Sequence, residues 1–217
     1  MSEIKLTIDN QEITASEGEK LLWVALENDI YIPNLCAIKE QERPAASCRL
    51  CFVEVEGYSE PVTSCTLPVK EGMKVQTRTP AVDRLVKSAF ELLLSDHKID
   101  CGKCPARKSC ELINIAKQRG MKLKLERLPA LEREQEIDDS SEYLTLDRNK
   151  CVLCGRCVWA DREKAQAGCF GFARRGLNRS VTTFQDISLA EANCTGCKLC
   201  AEVCPVGALV AKEPAES

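Results

Sequence analysis

The sequence predicts an α+β chain of three modules: a small mixed sheet with one helix, a helical segment after it, and a cysteine-rich region of short segments. Three observations predict this. Strand-like runs fill 1–78, an amphipathic helical period dominates 79–120, and from 143 to 217 short segments carry closely spaced cysteines. A highly charged stretch, 121–142, joins the last two.

The N-terminal runs IKLTID and QEITA flank Asn10 and read as a hairpin. SEGEKLLWVALEND follows, in which Ser16 and Glu19 have capping-box spacing and Leu21, Leu22, Ala25 and Leu26 form an apolar stripe. CFVEVEG, PVTSCTLPV and MKVQT complete the sheet. One helix on a mixed sheet of this size is a β-grasp pattern. At 79–98 the sequence predicts a helix with Thr79 as N-cap and Pro80 at the favoured first position. Its apolar stripe is Val82, Leu85, Val86, Ala89, Leu92 and Leu93, and it ends near Asp96–His97, leaving the cysteines beyond on a loop. ARKSCELINIAKQRG reads as a second helix closed by Gly120. The run KLKLERLPALEREQEIDDSSE reads as a solvated connector.

Composition narrows the function. Thirty basic against 33 acidic residues leave a net charge of -3, which argues against nucleic acid as a partner. No apolar run approaches the ~20 residues of a membrane helix, and MSEIKLTIDN has no signal-peptide core. The expected location is therefore the reducing cytoplasm, where thiols do not persist as structural disulfides. Fifteen cysteines in tight, repeated spacings then read as metal ligands.

The cysteines fall into four sets. Cys36, Cys48, Cys51 and Cys65 lie within the β-grasp region. Four thiolates on loops of one sheet suit a [2Fe–2S] cluster, with four-cysteine zinc as the alternative. His97, Cys101, Cys104 and Cys110 form a set with only three thiols, which the chain's single histidine can complete as a [4Fe–4S] site. Cys151, Cys154 and Cys157 form a third run, and Cys194, Cys197, Cys200 and Cys204, before Pro205, a fourth.

In two-cluster ferredoxins the fourth cysteine of a run ligates the other cluster. Cys204 therefore completes the set of Cys151, Cys154 and Cys157. The set of Cys194, Cys197 and Cys200 needs a donor after the first run. The usual position holds Asp161, and Cys169 is the remaining thiol, whose bland reading is a buried free cysteine. The count decides between these readings. Four clusters need sixteen donors, and fifteen cysteines and one histidine supply sixteen. The expectation is one [2Fe–2S] and three [4Fe–4S] clusters, with Cys169 and His97 both ligating.

The four-cysteine β-grasp, then LLLSDHKIDCGKCPARKSC, then a module ending in CPVGAL, resembles one family across nearly the whole chain. It is similar to the N-terminal portion of the large iron–sulfur subunit of respiratory complex I. The same arrangement occurs in [FeFe]-hydrogenases and in the small diaphorase subunit of NAD-reducing [NiFe]-hydrogenases. The two longer relatives would continue into further domains, and the complex I subunit usually keeps one cluster in the last module. The resemblance therefore points to the small diaphorase subunit. The 11-residue spacer before Cys169 departs from the two-cluster pattern.

No catalytic constellation stands apart from the clusters. A GxGxxG fingerprint is absent, and Gly168, Gly171 and Gly176 read as loop conformers around Cys169. Arg174, Arg175 and Arg179 read as solvated in preference to a site for an acidic partner. What the resemblance implies is conduction, with no NAD or flavin site of its own. Single electrons would pass between a flavin/NAD-binding diaphorase subunit and the small and large hydrogenase subunits. A flavin on the neighbour would convert them to the hydride of NAD. The alternatives are an equivalent subunit of an NAD-dependent formate dehydrogenase or complex I-like enzyme, and a self-standing polyferredoxin carrier.

Overall fold

The computed structural model describes residues 2–131 and 134–213. The chain forms two compact units, Met1–Leu92 and Leu93–Ser217. In the first unit, β1 (Glu3–Ile8) and β2 (Gln11–Ser16) form an antiparallel hairpin with Ile8 opposite Gln11. Its turn, Asp9–Asn10, has φ of 48° and 69°. Two left-handed residues give the twist a tight hairpin needs, and Asp and Asn tolerate that region better than other side chains.

Helix α1 (Leu21–Glu27) is followed by β3 (Phe52–Val55), β4 (Val62–Thr63) and β5 (Lys74–Gln76). The sheet order is β2-β1-β5-β3-β4, with β5 parallel to β1 and the other pairs antiparallel. Ile4, Leu6 and Ile8 alternate inward along β1 and pack with Leu21, Leu22 and Ala25 of α1 and with Val53, Val55 and Val75. The expected capping box acts one turn early. Glu19 accepts from the Ser16 backbone N–H (3.2 Å), but α1 begins at Leu21 without a side-chain cap. Tertiary structure replaces the cap: Leu67 and Ser64 carbonyls accept from the Leu21 and Leu22 N–H groups at 2.9 and 3.2 Å.

Helix α2 (Pro80–Asp96) starts as expected, with Thr79 Oγ1 accepting from the Val82 N–H at 3.2 Å. Its buried apolar residues are Val82, Val86, Ala89, Phe90 and Leu94. Leu92, expected in the stripe, is 59% exposed, because the buried face runs through Phe90 and Leu94 and leaves it on the opposite flank.

In the second unit, α3 (Glu111–Arg119) ends at Gly120, whose φ of 64° gives the left-handed cap. The helix is shorter than expected. Residues 106–109 form tight turns instead, with the Arg107 and Ser109 N–H groups donating to the Cys104 and Ala106 carbonyls. Strands β6 (Leu144–Leu146) and β9 (Leu209–Ala211) pair antiparallel, as do β7 (Phe170–Ala173) and β8 (Ser180–Thr183). Helix α4 (Arg156–Trp159) runs into a π-helical turn, Ala160–Ala165, and α5 (Leu199–Glu202) lies within the last cysteine run and carries Cys200.

Leu144, Leu146, Phe170, Val181, Leu189 and Leu209 form this unit's core together with Cys157, Cys169 and Cys200. The charged stretch has no helix among its described residues, and those within 121–140 all keep some solvent exposure. Glu132 and Arg133 lie outside the described residues. The stretch is nevertheless tied down: Leu131 donates to Ser95 O (2.7 Å), Gln135 to Asn149 Oδ1 (2.9 Å), and Asp138 pairs with Leu146. Among the described residues no helix is long and apolar enough to cross a membrane.

Candidate metal centres

Cys36, Cys48, Cys51 and Cys65 are all buried around the sheet of the first unit. They stand as two pairs. The Cys36 and Cys48 sulfurs are 3.5 Å apart, and the Cys51 and Cys65 thiols hydrogen-bond each other. The bond from Cys48 holds Cys36 down at about 5, and the bond from Cys65 holds Cys51 at about 7. Their partners are pushed up, first by the same bonds and then by burial. Four buried thiols in two close pairs match the donor demand of a two-iron cluster, in which each iron takes two cysteines.

In the second unit, His97 follows directly on α2 and its Nδ1 lies 2.9 Å from the Lys150 carbonyl oxygen. A carbonyl only accepts, so Nδ1 carries the proton and Nε2 keeps its lone pair free to ligate. Burial lowers the His97 pKa, which keeps the imidazole neutral as a metal requires. Cys101 and Cys104 lie on the turns after His97, and Cys110 is the N-cap residue of α3. Burial raises the Cys110 thiol, and the charges of Cys104 and Cys101 raise it further, so these three sulfurs share one neighbourhood.

The remaining eight cysteines gather as two interlocked sets. Burial pushes Cys154 up to about 12, and Cys151 and Cys204 add to the rise. Cys157 is raised well above its usual value by burial, then by Cys154, Cys151 and Cys204, with a smaller contribution from Cys200 across the gap between the sets. Cys200 is pushed to about 12 by burial, then by Cys194, Cys197 and Cys169. Cys169, also near 12, is raised by burial, Cys194 and Asp161. The fold therefore places Cys204 beside the 151–157 run and Cys169 beside the 194–200 run.

Asp161 is buried too, but its Oδ2 accepts from the Phe170 N–H at 2.9 Å. The two runs also share a backbone device. Leu153 and Gly155 have φ of 53° and 79°, and the matching Gly196 and Lys198 have 71° and 61°. Left-handed residues on either side of the middle cysteine coil the loop tightly, and such coils turn successive N–H groups toward a common centre. Leucine and lysine adopt this region at a steric cost of roughly 1–2 kcal/mol, a sign that the loop geometry is imposed.

Among the described residues no three His, Cys, Asp or Glu side chains converge tightly enough to hold one metal ion. A cubane asks for something else, one thiol at each of four irons, so its donors stand around a volume. Two supporting contacts escaped the sequence reading. One is the Lys150 carbonyl on His97. The other is Gly207, where a Cβ would lie 2.6 Å from Cys104 Sγ. The glycine of CPVGAL was the available signal, since close backbone approach is a standard use of glycine.

A sheet unit with four paired thiols, followed by a unit gathering the other eleven and a half-buried imidazole, defines an iron–sulfur electron-transfer protein. Residues 1–80 match the 2Fe-2S iron–sulfur cluster binding domain. Residues 87–123 match the NADH-ubiquinone oxidoreductase-G iron–sulfur binding region, and 141–210 the ferredoxin-like domain of NADH-quinone oxidoreductase subunit 3.

The chain is 32% identical over 212 residues to the NAD-reducing hydrogenase HoxS subunit gamma of Cupriavidus necator, covering 96% of this chain and 87% of that one. It is 37% identical to the NADPH-Fe(3+) oxidoreductase subunit alpha of Geobacter sulfurreducens over 210 residues, 96% of this chain but 24% of that longer protein. Among solved structures, a chain of an NAD+-reducing [NiFe]-hydrogenase in the H2-reduced state superposes with a TM-score of 0.86 at 30% identity. The match covers 97% of this chain and 88% of that one. The chain belongs to the family of iron–sulfur subunits that includes the gamma subunit of NAD-reducing hydrogenase and the N-terminal region of the complex I 78 kDa subunit.

Proposed function

We propose that this chain conducts single electrons between a flavin subunit that exchanges hydride with NAD(H) and a hydrogen-activating [NiFe] module. The carrying observation is the likeness to the HoxS gamma subunit along 87% of that relative's length. On this reading the sheet unit is a β-grasp carrying a [2Fe–2S] cluster on Cys36, Cys48, Cys51 and Cys65. Three [4Fe–4S] clusters sit on His97, Cys101, Cys104 and Cys110, on Cys151, Cys154, Cys157 and Cys204, and on Cys169, Cys194, Cys197 and Cys200. The modules are 1–78, 79–120 and 143–217, with 121–142 as connector. Such clusters supply reversible one-electron chemistry over a wide range of potentials. The residues of the chain bury most of the thiols, hold His97 in the ligating tautomer and coil the loops.

A second reading has specific support. Identity is higher, 37%, to a protein of which this chain spans only 24%. An equivalent electron-transfer role in another NAD(P)-linked oxidoreductase fits that match. Anaerobic purification of the native complex tests both. Co-purifying [NiFe] subunits with hydrogen-dependent NAD+ reduction support the first reading. A flavin subunit with a different terminal oxidoreductase, and no hydrogen activity, overturns it in favour of the second.

A further inference from the structure

Lys150 is the residue where the His97 set meets the Cys151 set. Its carbonyl accepts from His97 Nδ1–H at 2.9 Å, and its peptide continues directly into Cys151. Its side chain does not reach for solvent. Nζ lies 3.0 Å from Asp147 Oδ2, with the two side chains only 14% and 10% exposed. The aliphatic stem and Cys104 border the same glycine: a Cβ placed on Gly207 would meet Cys104 Sγ at 2.6 Å and Lys150 Cδ at 3.6 Å.

Stability does not account for such a pair. Removing two charges from water offsets most of their attraction, and apolar replacements of buried ion pairs are often neutral or better. Asp147 has independent structural work, accepting from the Asn149 N–H (3.1 Å) and Asn149 Nδ2 (3.0 Å). Lys150 has none that a neutral chain of its length could not do. What its ammonium adds is a largely enclosed positive charge on the residue that holds the His97 ring and precedes Cys151.

We propose that Lys150 is a positioning and tuning residue for the His97, Cys101, Cys104 and Cys110 centre, its carbonyl fixing the imidazole and its ammonium, moderated by Asp147, raising the reduction potential. The inference rests on the reading of that set as a cluster site. Reduction adds an electron to the cluster, and a nearby cation in a poorly screened interior favours the more negative state.

The test is a redox titration followed by EPR on the complete complex, with iron counted in each variant. The His97→Cys variant first identifies the centre by its altered signal. Lys150→Met should keep the iron and lower that centre's potential by about tenfold in the reduction equilibrium, ~59 mV for a one-electron couple. Asp147→Asn, which keeps a side-chain acceptor, should move it the opposite way, and Lys150→Arg should leave it near wild type. Opposite signs separate electrostatics from loosened packing, which would shift both variants alike. If Lys150→Met does not assemble, an upward shift in Asp147→Asn supports the proposal and an unmoved potential overturns it. A His97-dependent centre whose potential ignores both substitutions overturns the tuning role alone. Signals unchanged in His97→Cys overturn the cluster reading, and the proposal with it.

Discussion

An imidazole at position 97 differs from a thiolate by one charge, and that difference is measurable. Nδ1 is committed to the Lys150 carbonyl, so only Nε2 can face a metal. His97→Cys should retain a cluster at lower potential, because the added thiolate disfavours the reduced state. His97→Ala should lose that one centre while the others keep their EPR signals. Cys169 poses the complementary question. Its sulfur shares its surroundings with both Cys194 and Asp161, but the Asp161 carboxylate already holds the Phe170 N–H. Cys169→Ala should convert or destroy one [4Fe–4S] centre and spare the [2Fe–2S] signal. NADH-driven dye reduction should survive in this variant, whereas electron flow between hydrogen and NAD should fall. Full iron content with unaltered spectra would make Cys169 a spectator.

Elements were legible where the signal was local. Thr79 and Pro80 announce α2, Gly120 its left-handed cap on α3, and the Asp9–Asn10 hairpin lies where strand-like runs flank a turn residue. Misreadings arose where distant chain took over a local role. Carbonyls of Ser64 and Leu67 supply the start of α1, so the Ser16–Glu19 pair closes a separate turn. The grouping of the cysteines was readable because their spacings repeat in sequence. The contacts around those groups were not, since Lys150 on His97 and Gly207 on Cys104 join segments 53 and 103 residues apart.

Two substitutions test the element scale. Thr79→Ala should cost about 1 kcal/mol in denaturant unfolding of the assembled chain without touching any EPR signal. Gly207→Ala should act in reverse, perturbing or removing the His97 centre, because the new methyl meets Cys104 Sγ at 2.6 Å. Gly120→Ala serves as its control. There φ is 64° and the space is open, so a strain of roughly 1–2 kcal/mol should appear with all clusters intact.

At the scale of the whole chain, the donor count makes a sharp claim about metal content. On the proposed reading, fifteen cysteines and one histidine fill four sites without remainder, which calls for about fourteen irons per chain, two from a [2Fe–2S] and twelve from three [4Fe–4S] clusters. Iron and acid-labile sulfide, assayed anaerobically on the complete chain, should agree at that number. The thiol pairing makes the first site the informative one. Cys36 with Cys48 and Cys51 with Cys65 form two close pairs, whereas a mononuclear zinc would draw all four sulfurs onto one tetrahedron. About twelve irons with one zinc would therefore leave the second unit's reading intact and overturn the N-terminal one. About ten irons would point to a missing cubane, and comparison of His97→Ala with Cys169→Ala would show which: the substitution that costs no further iron marks the set that never held one.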